Sequence, residues 1–295
     1  MSIHDNAKQL PIGRRIVRGL RSLVGLKNEP LPIEHVKLNR SQYKNIWNAV
    51  SVSENDAKMA VSGYIDEDLY RQMGEGTRSM LQSYVGIGPQ DVVLEIGAGV
   101  GRVGAALAPI CKEWIGVDVA ENMLAHIRQR LAAFDNVRTV ASSGFDLAAV
   151  PDASVDVVYS TVVFMHLEEW DRYNYIKEGF RVLRPGGRML VDNVDITSDL
   201  GWKFFEEHCA VPPFERPAQI SKTSTPQELE TYFRRAGYEA IEQIRSDLWI
   251  ITYGRKPAAP AQEVVAQDVV AQDVVAQDLA SEGVAAAPEE ASVAG

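Results

Sequence analysis

The chain has 295 residues, 46% hydrophobic and 24% charged, with a formal net charge of −10. That length and composition suit one large α/β domain with an appendage and exclude a fibre, and no apolar run approaches the roughly 20 residues that span a bilayer. Seven acidic residues and no basic one follow Lys256, so the preceding chain carries only about −3, which gives no global case for nucleic-acid binding.

In IGRRIVRGLRSLVGLK, apolar Ile12, Ile16, Leu20, Leu23 and Val24 recur at helical spacing, with Arg14, Arg15, Arg18 and Arg21 mostly off that stripe. The pattern predicts a basic amphipathic helix within residues 1–30. Two placements stand: packing on the domain, or Ile12–Lys27 as a peripheral foot on an anionic membrane surface of an otherwise cytoplasmic protein. Arginines interrupt any hydrophobic core, so the segment does not read as a secretory signal. Residues 31–86 form a helical cap or lid, with helical pattern in SQYKNIWNAVS and DEDLYRQMGEGTRSMLQSYV and a glycine break in AVSGYIDE between them. Tyr43, Trp47 and Tyr64 are expected there as core or as lid lining.

From Asp91 the pattern becomes alternating. DVVLEI, WIGVDV, VRTVAS, VDVVYSTVV and GRMLVDNVDI read as strands, separated by helical GRVGAALAPIC, AENMLAHIRQRLAAF and EEWDRYNYIKEGFRVL. Short apolar strands between helices mean a parallel sheet covered on both faces, in a doubly wound order. TPQELETYFRRAGY carries Thr225 as N-cap, Pro226 at the first turn and Gly237 past the end. YEAIEQIRS and LWIITYGRK then close the domain, residues 87–256, as an antiparallel hairpin at one edge. The remainder, 257–295, repeats VVAQD and is expected to be a disordered acidic tail. Cys111 and Cys209 match neither a zinc knuckle nor a redox pair and read as reduced thiols.

The first strand runs directly into glycines, in VLEIGAGVGR. Glycines there let a ligand approach the main chain, and the helix beginning near Arg102 offers backbone N–H groups to an anion. A dinucleotide fingerprint needs G-x-G-x-x-G, whereas here the spacing is G-x-G-x-G and Arg102 follows, which disfavours a nicotinamide or flavin oxidoreductase. Asp118 ends the second strand, placed for the two hydroxyls of a ribose.

Together these features resemble the class I S-adenosylmethionine-dependent methyltransferases over about Asp91 to Lys256. The run Glu95 to Gly101 is similar to that family's first motif, Asp118 to the acid of its second, SSGFDL (Ser142 to Leu147) to its adenine loop, and FRVLRPGGRML to the approach to its fifth strand. The resemblance implies a Rossmann-like, mostly parallel seven-stranded sheet with an antiparallel last strand, and S-adenosyl-L-methionine as cofactor. It implies that Glu95, Gly97, Ala98, Gly99 and Gly101 hold the methionine part, with Asp118 on the ribose. Val119 and Met123 would flank adenine, and Asp146 with the Leu147 backbone would meet its amino group.

Methyl transfer from a sulfonium is an in-line displacement in which orientation and water exclusion supply much of the acceleration. A hydroxyl acceptor also needs a base, and His166, just past the fourth strand, is the expected one; otherwise it only satisfies local backbone. His208 is a second candidate, in an insertion (Thr197 to Lys222) expected to form the acceptor pocket with the N-terminal helices. Trp202, Phe204, Phe205 and Phe214 make that insertion aromatic. Asp192 and Asn193 resemble part of a catechol-type metal site, but Ser160 and Thr161 stand where another acid is needed, so no metal is expected. The acceptor is expected to be a small molecule, a glycan or a lipid-linked precursor, methylated at oxygen, with no nucleic-acid partner. The alternative is a cofactor-binding interaction module without catalysis.

Overall fold

The structure, a computed structural model, describes residues 41–258 apart from 214 and 218. The basic segment Ile12–Lys27, Phe214 and the repeat tail beyond residue 258 lie outside the described residues.

Three helices precede the sheet: α1 (Ser41–Ala49), α2 (Glu54–Ser62) and α3 (Glu67–Tyr84). The sequence pattern predicts only the outer two. Helix α2 has a weak apolar stripe: Ala57 is buried while Met59 is half exposed. It is instead defined by its ends, where the Ser53 side chain accepts from the Asp56 N–H and Gly63 takes the left-handed conformation.

The sheet contains β1 (Val92–Ile96), β2 (Glu113–Asp118), β3 (Val137–Ala141), β4 (Val155–Ser160), β5 (Leu183–Asp195), β6 (Thr223–Ser224), β7 (Glu239–Arg245) and β8 (Trp249–Arg255). Their order is β3-β2-β1-β4-β5-β8-β7, with the two-residue β6 beside the end of β5. All pairs are parallel except those made by β8, which runs antiparallel to both β5 and β7. The expected mostly parallel sheet and edge hairpin are present, and the last strand is the inner member of that hairpin. Interleaved helices are α4 (Arg102–Leu107), α5 (Glu121–Arg130), α6 (Glu169–Val182), α7 (Asp199–Cys209) and α8 (Pro226–Ala236). Helix α4 is shorter than the pattern predicts because Pro109 cannot continue it. On α8 the Thr225 cap, Pro226 and Gly237 act as the sequence predicts.

The central strands β1, β2 and β4 are buried on both faces, and their side chains alternate between two cores. Val92, Leu94 and Ile96 of β1 join one core with Ile176 of α6 and Phe233 of α8. Val93 joins the other, with Trp114, Leu107 and Ile127 under α4 and α5. Glu95 shares the parity of Val93 and so enters that second layer as a carboxylate among apolar neighbours. The chain builds β1 to β3 outward and returns to set β4 on the other flank of β1, so the switch point lies between β1 and β4.

Candidate functional site

A cavity of about 970 Å³ opens at that switch point. Its floor comes from the β1 and β2 ends and the glycine loop, including Glu95, Gly97, Ala98, Gly99 and Asp118; its opposite wall is Tyr43 and Trp47 of α1, Val61 of α2 and Tyr70 of α3. Cap and sheet thus enclose one space.

The loop is shaped more than it is donating. The Gly97 and Ala98 N–H groups both donate to the Val117 carbonyl (2.8 and 3.0 Å), Gly99 N–H to Asp118 Oδ2 (2.9 Å), and Gly101 N–H to the Ala98 carbonyl (2.9 Å). These four loop N–H groups are therefore engaged by the loop and β2; the donors expected to meet an anion are others, at the start of α4. At Gly97 φ is +72°, and a Cβ would collide with the Val163 side chain. Gly101 faces away from the cavity, toward Ile127 and Leu131 of α5.

Asp118 is 8% exposed. Its Oδ2 accepts from Gly99 N–H and its Oδ1 from Ala120 N–H (2.9 Å each), which fixes the carboxylate beside the cavity. Burial pushes its pKa up to about 6 against those hydrogen bonds. Glu95 Oε2 accepts from the Tyr159 hydroxyl at 2.5 Å, and Tyr159 accepts from Trp114 Nε1 at 3.1 Å. Burial pushes Glu95 up to about 8. Arg102 also lines the cavity, its Nη1 donating to the Tyr64 hydroxyl at 3.1 Å.

Val119 and Met123, the expected adenine flank, both line the cavity. Asp146 and Leu147 do not. Leu147 N–H donates to Glu178 Oε2 (3.1 Å), and Asp146 Oδ1 accepts from Ala148 N–H (3.3 Å). The same loop instead brings Ser142 and Gly144 to the wall, with Ser142 Oγ 2.8 Å from the Tyr175 hydroxyl. Sequence reading named the Ser142 to Leu147 loop but not Ser142 and Gly144 within it, and missed Tyr70, Arg102 and Tyr175 as lining residues. Of the three missed, Arg102 carried a signal, as the residue directly after the glycine run.

His166 ends a 3-10 turn (Phe164–His166) and lines the cavity. Its Nδ1 lies 2.8 Å from the Gln219 carbonyl, so Nδ1 carries the proton and Nε2 is left as the acceptor. The Trp47 ring meets it edge-on at 5.2 Å. Burial pushes its pKa below the ordinary histidine value, which keeps the ring neutral near pH 7. His208 does not reach the cavity; its Nδ1 bonds the Phe204 carbonyl (2.8 Å) on its own helix. None of the described residues of the insertion lines the cavity either. It supports the site from behind, through the Gln219 carbonyl and through Lys222 N–H donating to the Met165 carbonyl (2.6 Å). Trp202 and Phe205 lie on its surface, 50% and 36% exposed. Of the insertion and the N-terminal helices, expected together to form the acceptor pocket, the helices α1 to α3 line this cavity and the described residues of the insertion do not.

Asp192 Oδ1 accepts from Val162 N–H at 2.6 Å, and Asn193 Nδ2 donates to Ser224 Oγ at 2.8 Å. Among the described residues no group of three or more His, Cys, Asp or Glu is arranged to hold a metal. Nor is any helix among them long and apolar enough to cross a membrane. Cys111 is buried and Cys209 exposed, both free.

A doubly wound sheet with a glycine turn after β1 and a buried acid after β2 defines the Rossmann-like class that binds nucleoside cofactors. Comparison with known proteins narrows the class. The family model "Methyltransferase domain" matches residues 94–191. A probable S-adenosylmethionine-dependent methyltransferase of Mycolicibacterium smegmatis is 40% identical over 99 residues, covering 34% of this chain and 36% of that protein. The demethylmenaquinone methyltransferase of Lactococcus lactis is 29% identical over 229 residues, covering 70% and 85%. Magnesium protoporphyrin IX methyltransferase from Synechocystis, solved with bound S-adenosylhomocysteine, shares the fold at a TM-score of 0.57 and 15% identity, over 74% of this chain and all of that one. Residues 94–191 thus match a methyltransferase domain, and the relatives and the shared fold support the class I S-adenosylmethionine-dependent methyltransferase family. Matched segments span 34–36% of the length of the first curated relatives.

The cofactor of that family is S-adenosylmethionine, and the residues present fit it. Asp118 offers a fixed carboxylate, Val119 and Met123 an apolar flank, and the glycine loop a bare backbone, all on one cavity wall.

Proposed function

We propose that this protein transfers a methyl group from S-adenosylmethionine to the oxygen of a small-molecule acceptor held beneath α1 to α3. The observation that carries the reading is the single cavity running from Asp118 to His166 and Trp47. When bound, the cofactor supplies an electrophilic methyl on a sulfonium. Glu95, the glycine loop and Asp118 would hold it, with Val119 and Met123 against its base.

His166 accepts the proton of the acceptor hydroxyl at Nε2, because the Gln219 carbonyl holds the Nδ1 proton in place. Its lowered pKa leaves it in the basic form at neutral pH. Tyr43, Trp47 and Tyr70 exclude water and set the acceptor's approach. Enclosure by the cap supports a compact acceptor, or the reactive end of a glycan or lipid-linked one.

The test is methyl transfer from labelled S-adenosylmethionine to fractionated small-molecule extracts, with His166→Asn beside the natural chain. Transfer should fall about 10²- to 10⁴-fold in the variant while binding of S-adenosylhomocysteine is kept. The natural rate should also fall as pH drops through the depressed His166 pKa. Cofactor binding with no transfer to any fraction would favour a non-catalytic module instead.

A further inference from the structure

A buried carboxylate with no cation beside it is unstable in its charged form, and the wall of this cavity contains two. Glu95 and Asp118 are 4% and 8% exposed, and both face the same space. Their hydrogen-bond partners are neutral: the Tyr159 hydroxyl for Glu95, and the Gly99 and Ala120 N–H groups for Asp118. The ionisable groups acting on Glu95 are Tyr159 from β4, Arg102 from α4 and Asp118 from β2. Asp118 in turn acts on Tyr175 of α6, which lines the same space.

Among the described residues Arg102 is the one guanidinium that lines this space, and it does not neutralise both acids. Its hydrogen bond goes to the Tyr64 hydroxyl, and its guanidinium lies 5.8 Å from the centre of the Tyr70 ring. It also acts on Asp192, a third buried carboxylate, which holds the Val162 N–H. Glu95 and Asp192 thus share one cation, while the groups that lower Asp118 are backbone N–H donors. Burial accordingly lifts Glu95 to about 8, so that without a ligand it keeps its proton at neutral pH.

This arrangement suits a ligand that brings positive charge. With its sulfonium, ammonium and carboxylate, S-adenosylmethionine carries a net charge of about +1, and the demethylated product is neutral. We propose that Glu95, with Asp118 beside it, reads the charge on the cofactor's sulfur, releasing its proton when the sulfonium form binds and taking one back after the methyl group has left. In the transfer itself the carbon–sulfur bond breaks with its electron pair passing to sulfur, the carbon–oxygen bond forms, and the acceptor's proton goes to His166. The proton returning to Glu95 comes from solvent. The inference rests on the cofactor reading given above, and its consequence is discrimination against product: a neutral thioether meets a protonated, neutral wall.

The sign of the pH dependence follows from linkage. A ligand that binds the ionised acid gains affinity as pH rises toward the pKa of that acid, and a neutral ligand does not.

The experiment is calorimetric titration of the full chain with S-adenosylmethionine and with S-adenosylhomocysteine, in buffers of different ionisation enthalpy, from pH 6 to pH 8. At pH 7 the methylated form should release about half a proton or more beyond the product, and its affinity advantage should grow at least about threefold across the series. Glu95→Gln should flatten both effects. If that variant does not fold, the proton count and pH series on the natural chain decide the matter alone. Equal proton counts with a constant affinity ratio would overturn the proposal and leave the cofactor reading intact. Failure of both ligands to bind would overturn the reading and the proposal with it.

Discussion

At Gly97 the backbone combines φ +72° with Val163 directly opposite, so any side chain there meets both torsional strain and a wall. Gly97→Ala should cost about 3 kcal/mol in urea unfolding and weaken S-adenosylhomocysteine binding, since either the loop or Val163 must move. Unchanged stability would mean the loop is looser than its packing indicates. Val162, next to Val163, carries φ +62°, unusual for a β-branched residue and worth about 1–3 kcal/mol of strain. The Asp192 carboxylate holds its N–H and keeps that turn at the cavity wall. Neither contact is visible in the sequence, because both join residues brought together only when β1, β4 and β5 align.

Among the elements, the cap is fastened by charge as well as by apolar contact. Lys58 of α2, 3% exposed, pairs with Glu54 and Glu67, and Arg130 of α5 pairs with the same two acids. Changing both Glu54 and Glu67 to glutamine strands a buried ammonium and should destabilise the protein by about 3–5 kcal/mol, with proteolysis appearing first in α2 and α3. Lys58→Met, which removes the buried charge at similar volume, should be nearly neutral in the same thermal melts. This latch helps explain why α2 escaped the sequence reading: of its two buried positions, Ala57 and Lys58, one is a lysine, where a periodicity argument looks for an apolar residue. The central strands β1, β2 and β4, by contrast, were legible because both their faces are buried and their composition is largely apolar. The cofactor floor was legible for the same local reason, since the glycine run and Asp118 lie at strand ends. The acceptor wall was not, because Tyr43, Trp47 and Tyr70 reach the cavity from three separate helices.

For the whole molecule, the buried acids set the dependence of stability on pH. Glu95 is raised from 4.5 to about 8, so between those values the folded state holds a proton that the unfolded chain has lost. Ligand-free stability must therefore fall as pH rises through that window, and Asp192, raised to about 7, and Asp118, raised to about 6, act in the same direction. His166, lowered by burial, opposes them only below its ordinary value of 6.5. At the acid end, Glu67 is held near 2 by Arg130 and Lys58, and its contribution is lost as pH falls from 4.5 toward 2. Thermal melts of the ligand-free chain should thus peak near about pH 5 and decline to pH 8, with a shallower decline in Glu95→Gln. A melting temperature that climbs steadily from pH 5 to pH 8 would mean that these acids are ionised and solvated in the folded state.

The most direct measurement of the central claim is calorimetric titration of the full chain with S-adenosylmethionine, S-adenosylhomocysteine and NAD, repeated on Asp118→Ala. The account predicts micromolar binding of both sulfur compounds, none of NAD, and loss of binding in the variant. Binding of NAD alone, or sulfur-compound affinity untouched by the loss of Asp118, would contradict it.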